Sequence, residues 1–218
     1  AQLTALSAAP AIAQSNKYFL PTGNADATIA VLATGIDLLS TALIDGQPVM
    51  AQLDPSNGNI NVTVPAAKLA NPGLLQLQIR GSNGNLSLPL SIPVAAAASV
   101  NSQAVATIDG AGFGPTSVAA ESIAASFGTR LASAIVVNTA ANLPFALDGT
   151  SVYVNGVAAR LFFVSPGQIN FEVPPGTPAG PAAVVVVAKD GTVSQGAVLV
   201  TNTAPGIFTR LSNGKGAP

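Results

Sequence analysis

The chain has 218 residues, of which 8% are charged, against about 25% in an average globular protein. Apolar residues make up 49% and aromatics 5%; the formal net charge is −1, and there is no histidine and no cysteine. These numbers exclude disulfides, thiolate or imidazole metal ligation, thiol catalysis and a Ser-His triad. The eight basic residues are scattered and form no cluster to neutralise phosphates, so no nucleic-acid partner is expected.

In chain order, Ala11-Ile12-Ala13 has the A-x-A pattern that precedes signal cleavage. No charged segment precedes it, so Ala1 is read as near a mature N-terminus. The first half predicts strands near Gln2–Leu6, Ala27–Ala33, Thr41–Ile44, Val49–Leu53, Ile60–Val64, Leu74–Arg80 and Leu86–Pro93. The second half predicts strands near Ala104–Ile108, Ser122–Phe127, Ser151–Val154, Ala158–Val164, Ile169–Val173, Ala182–Ala188 and Gly196–Thr201. Helical turns are expected at Ala66–Leu69 and Ser133–Ala140, the latter inside an insertion from about Ser133 to Asp148. The longest apolar run, Ala182 to Ala188, is far short of the roughly 20 residues of a membrane helix, so no membrane insertion is expected.

The densest signal runs from Ser151 to Gly180. Asn155-Gly156 sits between β-rich runs, the strongest short hairpin signal, because a type I′ turn needs positive φ at both central residues. Gln168 to Val173 alternates polar and apolar, and Pro174-Pro175 ends that strand because proline cannot donate to a ladder. The first half carries the same landmarks in the same order. Asp45-Gly46 matches Asn155-Gly156, Val64-Pro65 matches Val173-Pro174, Pro72-Gly73 matches Ala179-Gly180, and Asn83-Gly84 matches Asp190-Gly191. Gly73 to Gly84 and Gly180 to Gly191 each span 11 positions. About seven short strands per half, with turn signals between, is the pattern of an antiparallel β-sandwich repeated twice. Val94 to Ser99, small and uncharged, marks the boundary.

With these motifs in view, residues 1–95 resemble an IPT/TIG-type domain. The motifs are the strand before Gly35, the Asp45-Gly46 hairpin, Val64-Pro65-Ala66, and Pro72-Gly73 leading into a strand. Residues 96–218 resemble the Solibacter-type C-terminal domain of secreted acidobacterial proteins, with a short C-terminal tail. That resemblance rests on Ala111-Gly-Phe-Gly114-Pro115, Phe127-Gly-Thr-Arg-Leu131, Val164-Ser-Pro-Gly-Gln-Ile-Asn-Phe171, Val173-Pro-Pro-Gly-Thr-Pro-Ala-Gly180 and Ala204-Pro-Gly-Ile-Phe208. The resemblances imply an all-β fold of two tandem immunoglobulin-like antiparallel β-sandwiches in an extracellular or cell-surface setting, and they transfer no active site. Arg160 departs from the pattern, which has a proline or small residue there.

No catalytic, cofactor-binding or metal-binding residue and no cofactor is expected. Of the nine carboxylates, Asp45, Asp109, Asp148 and Asp190 precede glycine, where turn chemistry explains them. No D-x-D-x-D-G calcium loop occurs. The sequons at Asn61 and Asn85 read as strand residues. Of Phe162 and Phe163, one is expected to enter the core while its neighbour faces out. Tyr18, Phe19 and Tyr153 are weighed as a sugar-stacking platform.

The shortage of charge carries most weight, because monomeric β-proteins keep charges on their surfaces and strand edges. The expectation is therefore a non-enzymatic extracellular protein that assembles with copies of itself into a fibre or layer. Candidate contacts are Leu3, Leu6, Ile12, Arg160, Phe162, Phe163, Ile207 and Phe208. The alternative is a cell-surface adhesion or glycan-binding module of a larger secreted protein.

Overall fold

A computed structural model describes residues 8–113 and 117–208. The expected strand at Gln2–Leu6, contact residues Leu3 and Leu6, and Gly114-Pro115 lie outside the described residues. The fold is all-β, and the chain divides into two compact units, Ala1–Val94 and Ala95–Pro218.

The first unit contains β1 (Ala11–Ser15), β2 (Leu20–Pro21), β3 (Ala27–Thr34), β4 (Thr41–Ile44), β5 (Gln47–Val49), β6 (Ala51–Leu53), β7 (Asn59–Val64), the single-turn α1 (Ala66–Leu69), β8 (Gly73–Arg80) and β9 (Leu90–Ala95). They form two sheets, β1-β3-β7-β6 and β2-β9-β8-β4-β5. Ile60, Val62 and Val64 of β7 are buried, while Asn59, Asn61 and Thr63 between them are half-exposed. This is the period-2 alternation of a strand with one face in the core. The core joins Ile29, Val31 and Val62 of one sheet to Ile44, Leu77 and Ile92 of the other. Ala11-Ile12-Ala13, the cleavage-like pattern, lies within β1, paired antiparallel with β3.

The second unit follows a 3-10 turn at Ala97–Ser99. It contains β10 (Val105–Asp109), β11 (Ser117–Val118), β12 (Ile123–Phe127), β13 (Val136–Val137), β14 (Ser151–Val154), β15 (Val157–Ala158), β16 (Arg160–Val164), β17 (Gln168–Glu172), β18 (Gly180–Val187) and β19 (Val193–Val200). Hydrogen bonding runs β13-β16-β17-β12-β10-β19-β18-β14-β15. β10 is the seam: it pairs antiparallel with β12 and parallel with β19, and β11 also joins β19 in parallel. Either side of that seam, β12-β17-β16 repeats β3-β7-β6, and β19-β18-β14-β15 repeats β9-β8-β4-β5. At the seam, a Cβ built on Gly196 would fall inside the van der Waals envelope of the Val105 carbonyl oxygen. Only glycine admits so close an approach.

The repeat extends to the hairpins. Asp45 and Gly46 have φ of 51° and 77°, and Asn155 and Gly156 have 47° and 76°, the positive pair of a type I′ turn. Asp45 and Asn155 hold their neighbouring strand in the same way. The Asp45 N–H donates to the Gln76 carbonyl and its Oδ1 accepts from the Gln76 N–H, both at 2.9 Å. Asn155 makes the same pair of 2.9 Å bonds with Ala183.

Four expectations are corrected. Val49–Leu53 and Ala158–Val164 are not single strands. The chain changes partner at Met50, from β4 to β7, and at Ala159, from β14 to β17, so each run splits into two short strands with different partners. Ser133–Ala140 makes no helical turn. Its β-branched pair Val136-Val137 instead pairs with β16, as residues stiff at χ1 favour. Asn85 is not in a strand: it lies in the turn before Leu86, its N–H donating to Asn83 Oδ1 at 2.9 Å.

Candidate functional site

The insertion between Arg130 and Asp148 carries no charged residue, and it runs along the outer edge of β16. Val136 and Val137 pair antiparallel with Val164 and Phe163. Asn138 N–H donates to the Phe162 carbonyl, and Leu161 N–H donates to the Pro144 carbonyl, each at 2.8 Å. Arg160 completes this attachment. Its Nη1 donates to the Leu143 carbonyl at 2.8 Å and its guanidinium lies 4.5 Å from the centroid of the Phe145 ring. A cation over an aromatic face is attracted by the ring quadrupole. Arg160 thus fastens a neighbouring loop of its own chain.

Pairing decides which side chains face out. Val136 and its partner Val164 sit on the core side, so Val137 and its partner Phe163 share the opposite face. Ile135 and Val137 are 73% and 61% exposed, and Phe145 is also exposed. The expectation that one of Phe162 and Phe163 enters the core is corrected. The β16–β17 register slips between Leu161 and Phe163, as at a β-bulge, where two residues oppose one and alternation breaks. Leu161 and Val164 take the core positions, and both phenylalanines are half-exposed.

The remaining candidates fall elsewhere. Ile12 is half-buried against the core of the first unit. Ile207 and Phe208 are exposed beyond β19. Sequence reasoning missed Ile135, Val137 and Phe145; the uncharged run from Leu131 to Leu147 was the signal available. It also missed the β3–β4 loop, where Leu38 and Leu39 are exposed.

Of the aromatics weighed for sugar stacking, the neighbours Tyr18 and Phe19 of the first unit are half-exposed. Tyr153 is buried in the second unit, and burial pushes its hydroxyl pKa up. Tyr18 is half-buried against the first core, and its hydroxyl accepts from the Ser15 N–H at 3.1 Å.

The concavities beside Lys17 and Leu69, beside Leu38 and Leu53, beside Pro181 and Leu199, and beside Gln14 and Asn59 hold about 90 to 270 Å³. Small-molecule pockets begin near 300 Å³. Among the described residues no group of three or more His, Cys, Asp or Glu is placed to hold a metal ion.

The carboxylates organise turns. Asp37 accepts from the Leu39 N–H at 3.0 Å and from Ser40 and Ser82 hydroxyls, and the Ser82 bond leads in holding its carboxyl below the usual value. Asp54 accepts from Ser56, Asp109 from the Gly112 N–H and Asp190 from the Thr192 N–H. Asp148 pairs with Lys189 at 3.0 Å. Burial pushes the Asp45 carboxyl up, but its bonds from Lys68 and the Gln76 N–H, with the Lys68 charge at 2.7 Å, outweigh it and hold the group below its ordinary value.

Residues 95–201 match the family model of the IPT/TIG domain. The match falls on the second unit, the half read as Solibacter-type, and not on residues 1–95, where the IPT/TIG resemblance was placed. No curated protein matches the chain. Among solved structures, the chain is similar to the Bacteroides ovatus mixed-linkage glucan utilization locus protein SGBP-B, solved with a mixed-linkage heptasaccharide. Identity there is 18% over 90% of this chain and 48% of that one, with a TM-score of 0.31; the chain therefore spans about half of that protein's length. It is also similar to a chimeric titin Z1Z2, at 17% identity over 90% of this chain and 99% of that one, with a TM-score of 0.26. Fibronectin(III)-like modules of Clostridium thermocellum CbhA match at 11% identity over 88% of this chain and 94% of theirs, with a TM-score of 0.27.

Proposed function

We propose that this chain is a non-enzymatic structural protein of the cell exterior. Its two units, residues 1–95 and 96–218, serve as immunoglobulin-like sandwiches, the second of the Solibacter-type, and copies associate through exposed apolar surface. The observation that carries this reading is that large apolar side chains stand in water on a chain with 8% charged residues. Leu38 is 88% exposed and Leu88 84%, with Leu39, Met50 and Ile135 also well exposed. Low charge removes the repulsion that keeps copies apart.

The described edges shape how association proceeds. β5 contains Pro48, β2 contains Pro21, and β6 runs directly into Asp54, devices that block strand-to-strand addition. Association through the first unit therefore uses side-chain patches more than backbone edges. Light scattering across a concentration series, with electron micrographs of the same samples, tests the reading. Concentration-dependent growth in mass is expected, and a protein that stays monomeric at millimolar concentration overturns it.

A further inference from the structure

We infer that β13 is a self-association edge: two copies meet across a two-fold axis, with β13 of one antiparallel to β13 of the other and Val137 opposite Val137. The inference rests on the self-assembly reading above and names its contact.

Three observations carry it. First, β13 terminates its hydrogen-bonded path, pairing with β16 on one side only. A terminal strand leaves backbone donors and acceptors open along its outer side. Second, this edge lacks the guards that the edges of the first unit carry. β1 lies between Pro10 and Lys17, β2 and β5 contain proline, and β6 meets Asp54. Around β13 the nearest charges along the chain are Arg130 and Asp148, and there is no proline before Pro144. Arg160, which packs on the insertion, is already occupied by Phe145 and the Leu143 carbonyl. Third, Ile135 and Val137 are 73% and 61% exposed, and Val137 is paired with half-exposed Phe163.

These features select a second copy of the chain. A two-fold contact sets a surface against itself, so a charge near the axis faces its own copy at short range. An uncharged patch meets itself without that repulsion. A two-fold axis through an edge strand also makes the pairing antiparallel automatically, the arrangement β13 already has with β16. Because β13 is short, the ladder supplies few hydrogen bonds, and burial of Ile135, Val137 and Phe163 against their counterparts must carry the contact.

The absence of native cysteine makes the test clean. Sedimentation velocity compares the full chain with Val137→Lys and with Leu88→Lys, a control that places the same charge on an exposed site of the first unit. Val137→Cys is subjected to copper-catalysed air oxidation and run on a non-reducing gel. The expected result is that Val137→Lys weakens association at least roughly tenfold, Leu88→Lys weakens it less, and Val137→Cys becomes a covalent dimer. Circular dichroism melts check that the lysine variant is folded; if it is not, the cysteine crosslink decides. Undiminished association of folded Val137→Lys, together with no crosslinking of Val137→Cys, overturns the β13 contact and leaves self-assembly standing. A wild-type chain that stays monomeric at millimolar concentration overturns both.

Discussion

Arg160 lies over the ring of Phe145, 4.5 Å from its centroid, and the same guanidinium donates to the Leu143 carbonyl. The residue that breaks the resemblance pattern is therefore the one that fastens the uncharged insertion to β16. Both contacts are solvent-exposed, which limits their strength. Arg160→Ala is expected to cost about 1 kcal/mol. Hydrogen exchange locates the effect. The Leu161 and Asn138 amides, which bond to the Pro144 and Phe162 carbonyls, should exchange faster while the Phe171 core keeps its protection. Uniform acceleration across the second unit would assign Arg160 a global role instead.

Asn155 combines a φ of 47° with a side-chain bond from the Ala183 N–H. Asn155→Ala loses that bond and replaces a residue that tolerates the left-handed region with one that disfavours it, and should destabilise by roughly 2 kcal/mol. Asn155→Asp, the residue the first unit uses at Asp45, should cost much less. Urea denaturation ranks the two, and equal losses would show that the side-chain acceptor is irrelevant.

Gly196 is required by the seam between the sheets. Gly196→Ala drives a methyl into the Val105 carbonyl and should cost roughly 3 kcal/mol, through loss of the β10–β19 pairing. Gly73→Ala is the matched control, since its Cβ meets nothing within 4 Å. Thermal melts of both variants test this, and similar melting temperatures would refute the close approach.

Asp45 predicts a pH dependence. Its carboxyl is held below its ordinary value of 3.8 by the Lys68 and Gln76 hydrogen bonds and the Lys68 charge, against the opposing effect of burial. A depressed folded-state value means that the stabilisation is fully present above 3.8 and is lost as pH falls through the lower folded value. Asp45→Asn keeps an acceptor for the Gln76 N–H and loses the ion pair, so at pH 7 it should cost about 0.5 kcal/mol, the scale of an exposed pair. The gap between the two proteins should close as pH drops below 3.8. A gap unchanged at pH 2.5 would mean that the pair contributes nothing.

The strand periods at Ile60–Val64 and Ile169–Val173, the Asp45-Gly46 and Asn155-Gly156 turns, and the repeated order of landmarks were all legible in the sequence. Each depends on local chemistry: side-chain alternation, positive φ, or a proline that cannot donate. The candidate contacts were legible only in part. Arg160 stood out as an anomaly, and the charge shortage pointed to association, but the residues that face solvent at the insertion were not identified.

Sequence by itself determined the all-β class, the two-fold repeat and the turn roles of the aspartates, because these follow from residues close along the chain. Tertiary structure alone decided that the chain changes partner strands at Met50 and Ala159, that Val136-Val137 is a strand, and that neither Phe162 nor Phe163 takes a core position. Those outcomes depend on which strand lies alongside. The bulge in β16 is set by its register with β17, and a strand as short as β13 exists only because β16 offers it an edge.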